Sequence, residues 1–470
     1  MRSLGTPVQT RPSDGRPSAW EETLAEAIAA PKSQMDVRSS MLISIERSIE
    51  RAVRTIASIL LVFEVVLLFA GVVSRYLLNR PLVWSDELAS ILFLWLAMLG
   101  ASLAFQRGQH MRMTSITDAI GDRAQRLLEC LAIVAPLLFL GLIIRHAYLF
   151  AEDESYITTP ALRLSNSWRA AALPIGFALM FVFGVFRVLR LPDWRIALAC
   201  VFLIAGATAA LLACTPIFAI AGKWNLLIFF VAIVGVAVFS GIPVAFSFGL
   251  ATFGYLALTT KTPVVVLVSR IDEGMSHLIL LAIPLFVFLG FLMEATGLAR
   301  VMLTFLSALI GHVRGGLSYV LVGAMYLVSG ISGSKTADMA AVAPGLVPEM
   351  RARGEKPGEL TALLAATGAQ TETIPPSLAL IAISSAAGVS TSALFTGGFV
   401  PGLVMGLILC ALVWWRSGAR ATEMPERART KLILSSFLAA LPAILLPRRS
   451  PKVRRQRPRS PPSASATRWS

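Results

Sequence analysis

Ser329-Gly330-Ile331-Ser332-Gly333-Ser334-Lys335-Thr336-Ala337-Asp338 opens a stretch that closes at Thr371-Glu372-Thr373-Ile374-Pro375-Pro376-Ser377. Between these ends lie an apolar helical pattern, a basic turn at Arg351–Lys356 and a second apolar helical pattern. A Gly/Ser cluster does not hold a continuous helix, and Pro375-Pro376 removes two backbone donors. Exposed to lipid, the freed amides and carbonyls would have no partners. Broken helices at membrane depth therefore persist only where they line a protein-enclosed or watered cavity, which commonly holds an ion or a small molecule. Either break alone also reads as a Gly-rich packing contact or a proline kink. Two polar breaks in one apolar stretch, both carrying hydroxyls, favour the cavity.

The surroundings fix the solvent. The chain has 470 residues, 56% hydrophobic and 15% charged, with a mean hydropathy of +0.72. That composition is expected of an all-α polytopic membrane protein. The net charge of +15 sits in tails and loops, which points to orientation by the positive-inside rule and contact with anionic lipid, not to nucleic acid. Cys130, Cys200, Cys214 and Cys410 all fall in apolar segments without metal spacing and read as buried thiols. The spans hold no plausible nucleophile–base pair or metal cluster, so an enzyme is not expected. Lys335-Thr336 near Gly333 does not make a phosphate loop, because Ser334 stands where Gly must precede the Lys.

Outward from this stretch, residues 1–40 are rich in Pro, Ser and Arg and lack periodicity; a disordered N-terminal tail is drawn to residue 44. Met41 opens a helical pattern and is a candidate start of the chain. A four-span module is expected over 45–195, with spans at Ile56–Val73, Leu88–Phe105, Leu127–Phe150 and Ala170–Val188. Glu64 lies inside the first. An intramembrane carboxylate is a functional candidate by default, and its plainer reading is a protonated or hydrogen-bonded group packed against a neighbouring helix. Ser85 is placed to cap the second span, with Asp86 and Glu87 in its first turn, where the helix dipole favours negative charge. The 106–126 loop and Arg187, Arg190 and Arg195 are basic and the 151–158 loop acidic, so both ends of this module lie inside. A joining span follows over 196–223, then Gly/Pro-interrupted segments over 224–447: Asn225–Phe239, Val244–Leu258, a mildly amphipathic Pro263–Ser276, His277–Met293, the Leu317–Met350 hairpin, the proline-broken segment and a span at Ala393–Trp415.

These residues carry a resemblance. Arg75-Tyr76 with Asn79, Pro81, Trp84 and Glu87, followed by Trp95, Gly100-Ala101, Arg107 and His110, resembles the small membrane subunit of TRAP (tripartite ATP-independent periplasmic) transporters. Ser329–Asp338 with Ile283-Pro284-Leu285-Phe286, Gly297-Leu298, Gly315-Gly316, Pro375-Pro376-Ser377 and Gly397–Leu403 resembles the N-terminal part of the large subunit. The resemblance implies a fusion of the two, with a re-entrant hairpin and broken helices in the large-subunit part. It implies a sodium-coupled secondary transporter in the bacterial inner membrane, with no cofactor beyond Na⁺ as coupling ion. Such a transporter imports an organic acid delivered by a periplasmic solute-binding protein, and its transport domain moves as an elevator.

By matching positions, the resemblance places Ser332, Gly333 and Ser334 at the hairpin tip and Thr371, Ile374 and Pro375 in the broken helix, with Na⁺ at Ser332, Ser334 and Thr371; Glu372, between them, is a further candidate for the site. Arg75, Tyr76, Trp84 and Glu87 form the small-subunit motif. Thr371-Glu372-Thr373 departs from the Gly-Pro-type run of many relatives. Glu372 has two readings, contact with ion or solute and capping of backbone freed by the kink. The family's second inverted repeat is not found. After Leu432–Leu446 the composition changes at Pro447, and 448–470 reads as a basic disordered tail. A frameshift or truncation near Pro447 is the expectation, with a genuine lipid-binding tail as the other reading. The alternative function is accordingly a truncated, non-transporting membrane scaffold or inactive remnant.

Overall fold

The computed structural model describes residues 34–113, 120–191, 194–332, 335–417 and Ser436. Among them the only extended pairing is one isolated bridge between Thr158 and Ser165. The rest is helix and connection. In chain order the longer helices are α1 (Gln34–Tyr76), α2 (Val83–Gln106), α3 (Asp122–Asp153), α4 (Ala172–Leu189), α5 (Trp194–Ala213), α6 (Thr215–Ala221), α7 (Trp224–Phe239, with a π-helical segment at Ile228–Ile233) and α8 (Val244–Thr259). There follow α9 (Val265–Met275), α10 (Ala282–Ala295), α11 (Leu298–Ile310), α12 (Gly316–Ser332), α13 (Lys335–Ala352), α14 (Pro357–Thr371), α15 (Leu378–Ala387) and α16 (Thr391–Ser417). Six helices among the described residues are long and apolar enough to cross a membrane, or seven if α9 and the helix after it, bent by 48°, form one span. The protein is an all-α polytopic membrane protein.

Two compact units emerge. The first comprises residues up to Leu60, Trp95–Thr158 and Ser165–Ser269; the second comprises Leu61–Leu94, Thr159–Leu164 and the chain from Arg270. In the first unit α3 packs along α4 and also touches α5 and α8. Glycines set these approaches: a Cβ on Gly184 would stand 2.6 Å from the Leu137 Cδ2, and one on Gly249 would stand 2.8 Å from Phe139. Small residues at membrane-helix crossings let backbones come close where lipid offers no hydrophobic drive. Polar ties complete the unit. Glu46 is buried, pairs with Arg190 and accepts from the Gln106 amide at 3.0 Å, and the Trp95 indole donates to the Trp168 carbonyl at 2.9 Å.

The second unit is built around α12. Leu317, Val320, Leu321, Ala324, Met325 and Val328 recur at helical spacing and are buried against Met302, Leu303 and Leu306 of α11, Val342, Leu346 and Met350 of α13, and Leu360 of α14. A smaller cluster joins Leu67, Ala89 and Phe93 to Leu280, Leu281 and Ile381.

Three expectations change. α1 begins at Gln34, so the segment 34–44 is helix and not tail; Gln34–Ile45 contains neither Pro nor Gly, and Glu46 just beyond is anchored by Arg190. Ser85 does not cap α2. The helix starts two residues earlier, and the Ser85 hydroxyl donates to the Leu82 carbonyl at 2.6 Å. The joining span divides at Cys214 into α5 and α6, where Pro216 has no N–H to continue the ladder. The segments Leu432–Leu446, apart from Ser436, and 448–470 lie outside the described residues, as do residues 1–33.

Candidate functional site

Both breaks fall where backbone chemistry puts them. α12 ends at Ser332 and α13 begins at Lys335, forming a helical hairpin; α14 ends at Thr371 and α15 begins at Leu378. Ser377 caps α15, its hydroxyl accepting from the Leu380 N–H at 3.3 Å. Gly354, at φ +81°, makes the turn between α13 and α14, a conformation that suits glycine.

The two breaks meet. The buried Ser329 hydroxyl, near the end of α12, donates to the Thr371 carbonyl at 3.1 Å. Lys335 Nζ lies 2.8 Å from Glu372 Oε1. A Cβ on Gly330 would sit 4.0 Å from the Pro375 carbonyl oxygen. Lys335 is the first residue of α13, where the positive end of the helix dipole opposes a cation. Glu372 compensates that charge, and Asp338, fully buried in the same first turn, adds a second acidic group. Of the two readings of Glu372, the structure thus adds a third role: partner to Lys335.

The broken segment is rich in oxygen. The Thr371 hydroxyl donates to the Gly368 carbonyl at 2.9 Å and the Thr373 hydroxyl to the Gln370 carbonyl at 2.7 Å; both keep lone pairs. The Ile374 N–H bonds the Thr371 carbonyl at 3.1 Å. Unwound carbonyls and hydroxyls of this kind are the donor set that Na⁺ accepts. Ser332 is the last helical residue of α12, and Gly333 and Ser334 lie outside the described residues.

Residues to which sequence reasoning gave no role frame the break, Gly398 and Gly402 having been noted only within the Gly397–Leu403 motif. Tyr326 Oη is within hydrogen-bond distance of Gln370 Oε1 (3.1 Å) and the Gly402 carbonyl (3.0 Å), donating to one at a time. A Cβ on Gly398 would stand 2.5 Å from the Thr373 carbonyl oxygen, one on Gly402 3.1 Å from the Thr373 hydroxyl, and one on Gly406 2.9 Å from Tyr326 Oη. Gly398, Gly402 and Gly406 form one stripe of α16 at four-residue spacing, the small-residue signal of a close helix approach. That spacing could have found them; a Tyr in an apolar helix, needing a partner for its hydroxyl, is the weaker signal for Tyr326.

The small-subunit motif residues hold a loop and a turn. Arg75 pairs with Asp86 at 2.9 Å. Glu87 accepts the Ala161 N–H at 2.8 Å and the Leu162 N–H at 2.9 Å, fastening the Thr159–Leu164 loop. Tyr76 and Trp84 are exposed, as suits interfacial aromatics.

Comparison with known proteins bears on the whole chain. Residues 64–193 match the family model described as tripartite ATP-independent periplasmic transporters, DctQ component. Residues 228–448 match the one described as tripartite ATP-independent periplasmic transporter, DctM component. The chain belongs to the TRAP transporter permease family. Its small and large components are fused in one polypeptide, and it is a multi-pass protein of the inner membrane. This TRAP permease is 28% identical over 392 residues to the sialic acid TRAP transporter permease protein SiaT of Haemophilus influenzae, covering 81% of this chain and 64% of that one. It is 29% identical over 367 residues to the isethionate TRAP transporter permease protein DctMQ of Oleidesulfovibrio alaskensis, covering 76% and 56%. It is 34% identical over 213 residues to the 2,3-diketo-L-gulonate TRAP transporter large permease protein YiaN of Escherichia coli, covering 45% and 50%. The chain thus spans between half and two thirds of the length of these relatives.

Proposed function

We propose that the chain is the membrane component of a sodium-coupled secondary transporter that imports an organic acid handed over by a periplasmic solute-binding protein. The observation that carries the reading is the meeting of hairpin and helix break in the second unit, tied by Ser329 to the Thr371 carbonyl and by Lys335 to Glu372. An ion shared between the two breaks would couple their positions. Ser332, Ser334 and Thr371 are the proposed oxygen donors for Na⁺, with freed carbonyls of the Glu372–Pro375 segment beside them. The relatives named for sialic acid and isethionate support an acidic solute. In this reading hairpin and broken helix travel as one body, while the Arg75–Asp86 and Glu87 contacts belong to the scaffold.

The test is uptake by the 470-residue chain in proteoliposomes, with a cognate binding protein and a panel of carboxylates and sulfonates. Accumulation is expected with an inward sodium gradient and is expected to fall in Ser332→Ala and Thr371→Ala. Equal uptake with potassium in place of sodium would sink the coupling; no accumulation of any acid would sink transport by this chain alone.

A further inference from the structure

The first unit has a basic cleft that the transport site does not use. It is lined by Arg187, Arg112, His110, Gly108, Phe105 and Pro243 among others. Four nearby cations divide into two kinds. Arg190 is paired with Glu46, and Arg107 lies 3.4 Å from Glu50. Arg187 and Arg112 have no carboxylate partner among the described residues. Arg187 donates from Nη1 to the Phe105 carbonyl at 3.2 Å, and its guanidinium lies 5.9 Å from the centroid of the Phe105 ring.

The cleft is shaped to leave the rest of that guanidinium open. Gly108 has a φ of +66°, and a Cβ there would stand 3.4 Å from Arg187 Nη2. The adjoining His110 ring is wedged against Phe105 and Phe246, with centroids 5.6 and 5.4 Å away, and its buried Nδ1 has no hydrogen-bond partner among the described residues. The loop is held in place where the Val244 N–H donates to the Met111 carbonyl at 3.0 Å. Burial, opposed by the Ala104 backbone and reinforced by Arg187, holds the His110 imidazole below its ordinary pKa, so the positive charge of the cleft comes from its arginines. Two guanidinium groups of like charge in a half-buried cleft repel each other, and an anion between them removes that cost.

We propose that this cleft binds the phosphate group of an anionic phospholipid of the inner leaflet. A guanidinium fork matches phosphate oxygens two at a time, which selects phosphate over a point-charge partner. The position argues for lipid. The cleft lies at the ends of α2 and α4 and the start of α8, on the side that the basic loops mark as cytoplasmic, and basic pockets between membrane helices on that side take lipid head groups. Met111, Leu189 and Trp194, all near it in sequence, are strongly exposed and would meet acyl chains and the interfacial layer. A free phosphate would satisfy the same arginines, so the source is left to the experiment.

The experiment is native mass spectrometry and thermal unfolding of the purified full chain, titrated with phosphatidylglycerol, phosphatidylcholine or inorganic phosphate. Phosphatidylglycerol is expected to bind and stabilise in preference to phosphatidylcholine. Each arginine removed, Arg187→Gln or Arg112→Gln, is expected to weaken that binding about fivefold. Arg112 is exposed on the loop, so its variant folds even if loss of the Arg187–Phe105 bond does not allow it. Arg270→Gln, in the exposed pair with Glu273 of the second unit, serves as the charge control and is expected to change nothing. Equal affinity for the two lipids, or an undiminished preference in Arg112→Gln and Arg187→Gln, would overturn the proposal. Stabilisation by inorganic phosphate without binding of phosphatidylglycerol would make it a soluble-anion site and overturn the lipid assignment.

Discussion

Glu64 is fully buried, and neither of its carboxylate oxygens has a hydrogen-bond partner among the described residues. The sequence marks it as a carboxyl group at membrane depth but does not say whether a partner waits on a neighbouring helix. Leaving a buried polar group unsatisfied costs about 1–3 kcal/mol, whereas an apolar group of similar shape carries no such penalty. Glu64→Met is therefore expected to raise the melting temperature of the purified protein, and Glu64→Gln, which keeps the polar atoms, to raise it less. A lower melting temperature for Glu64→Met would show that the carboxyl group is bonded in the folded chain. Glu372 behaved differently: its unusual character was visible at once, but its partner was not. Lys335 lies far away in sequence, and only the path of α13 and α14 brings the two together.

The hairpin and the broken helix were legible to within a few residues. The reason is local: Gly/Ser backbones and a Pro-Pro pair end helices whatever surrounds them. Less local was the stripe of Gly398, Gly402 and Gly406, whose meaning depends on Thr373 and Tyr326 standing opposite. The Lys335–Glu372 pair yields a prediction about these elements together. Its side chains are 37% and 39% exposed, and a pair that accessible is worth only about 0.2–1 kcal/mol. Lys335→Gln should hence leave the melting temperature nearly unchanged while hydrogen exchange at Glu372–Ile374 rises. The reversed pair, Lys335→Glu with Glu372→Lys, should restore part of the protection. Unchanged exchange in Lys335→Gln would mean that Ser329 and the apolar packing hold the break without help from the charges.

For the chain as a unit in the bilayer, length decides the path of the hairpin. α12 has 17 residues, which at 1.5 Å per residue is about 25 Å, short of a hydrocarbon core of about 30 Å. With basic residues at both of its ends, Arg314 before it and Arg351–Lys356 from the last turn of α13 onward, the hairpin is expected to enter and leave on one side. Single cysteines at Arg314 and Arg353, with Cys130, Cys200, Cys214 and Cys410 replaced, should react with a membrane-impermeant maleimide only from the cytoplasm. A cysteine at Asp153 should react only from the periplasm. Labelling of the 314 and 353 positions from opposite sides would mean that the hairpin spans.

Composition and local backbone chemistry already dictated a helical membrane protein and the positions of its breaks, because hydropathy, Gly and Pro act on their immediate neighbours; the fused order of its two components rested on the resemblance of its motifs. Pairing was beyond their reach. Helix α1 extending back to Gln34, Ser85 bonding backwards instead of capping, Lys335 facing Glu372 and the two arginines left without carboxylates among the described residues all depend on which helices lie side by side. Side-chain partners distant in sequence are chosen by packing, and packing is a property of the folded chain.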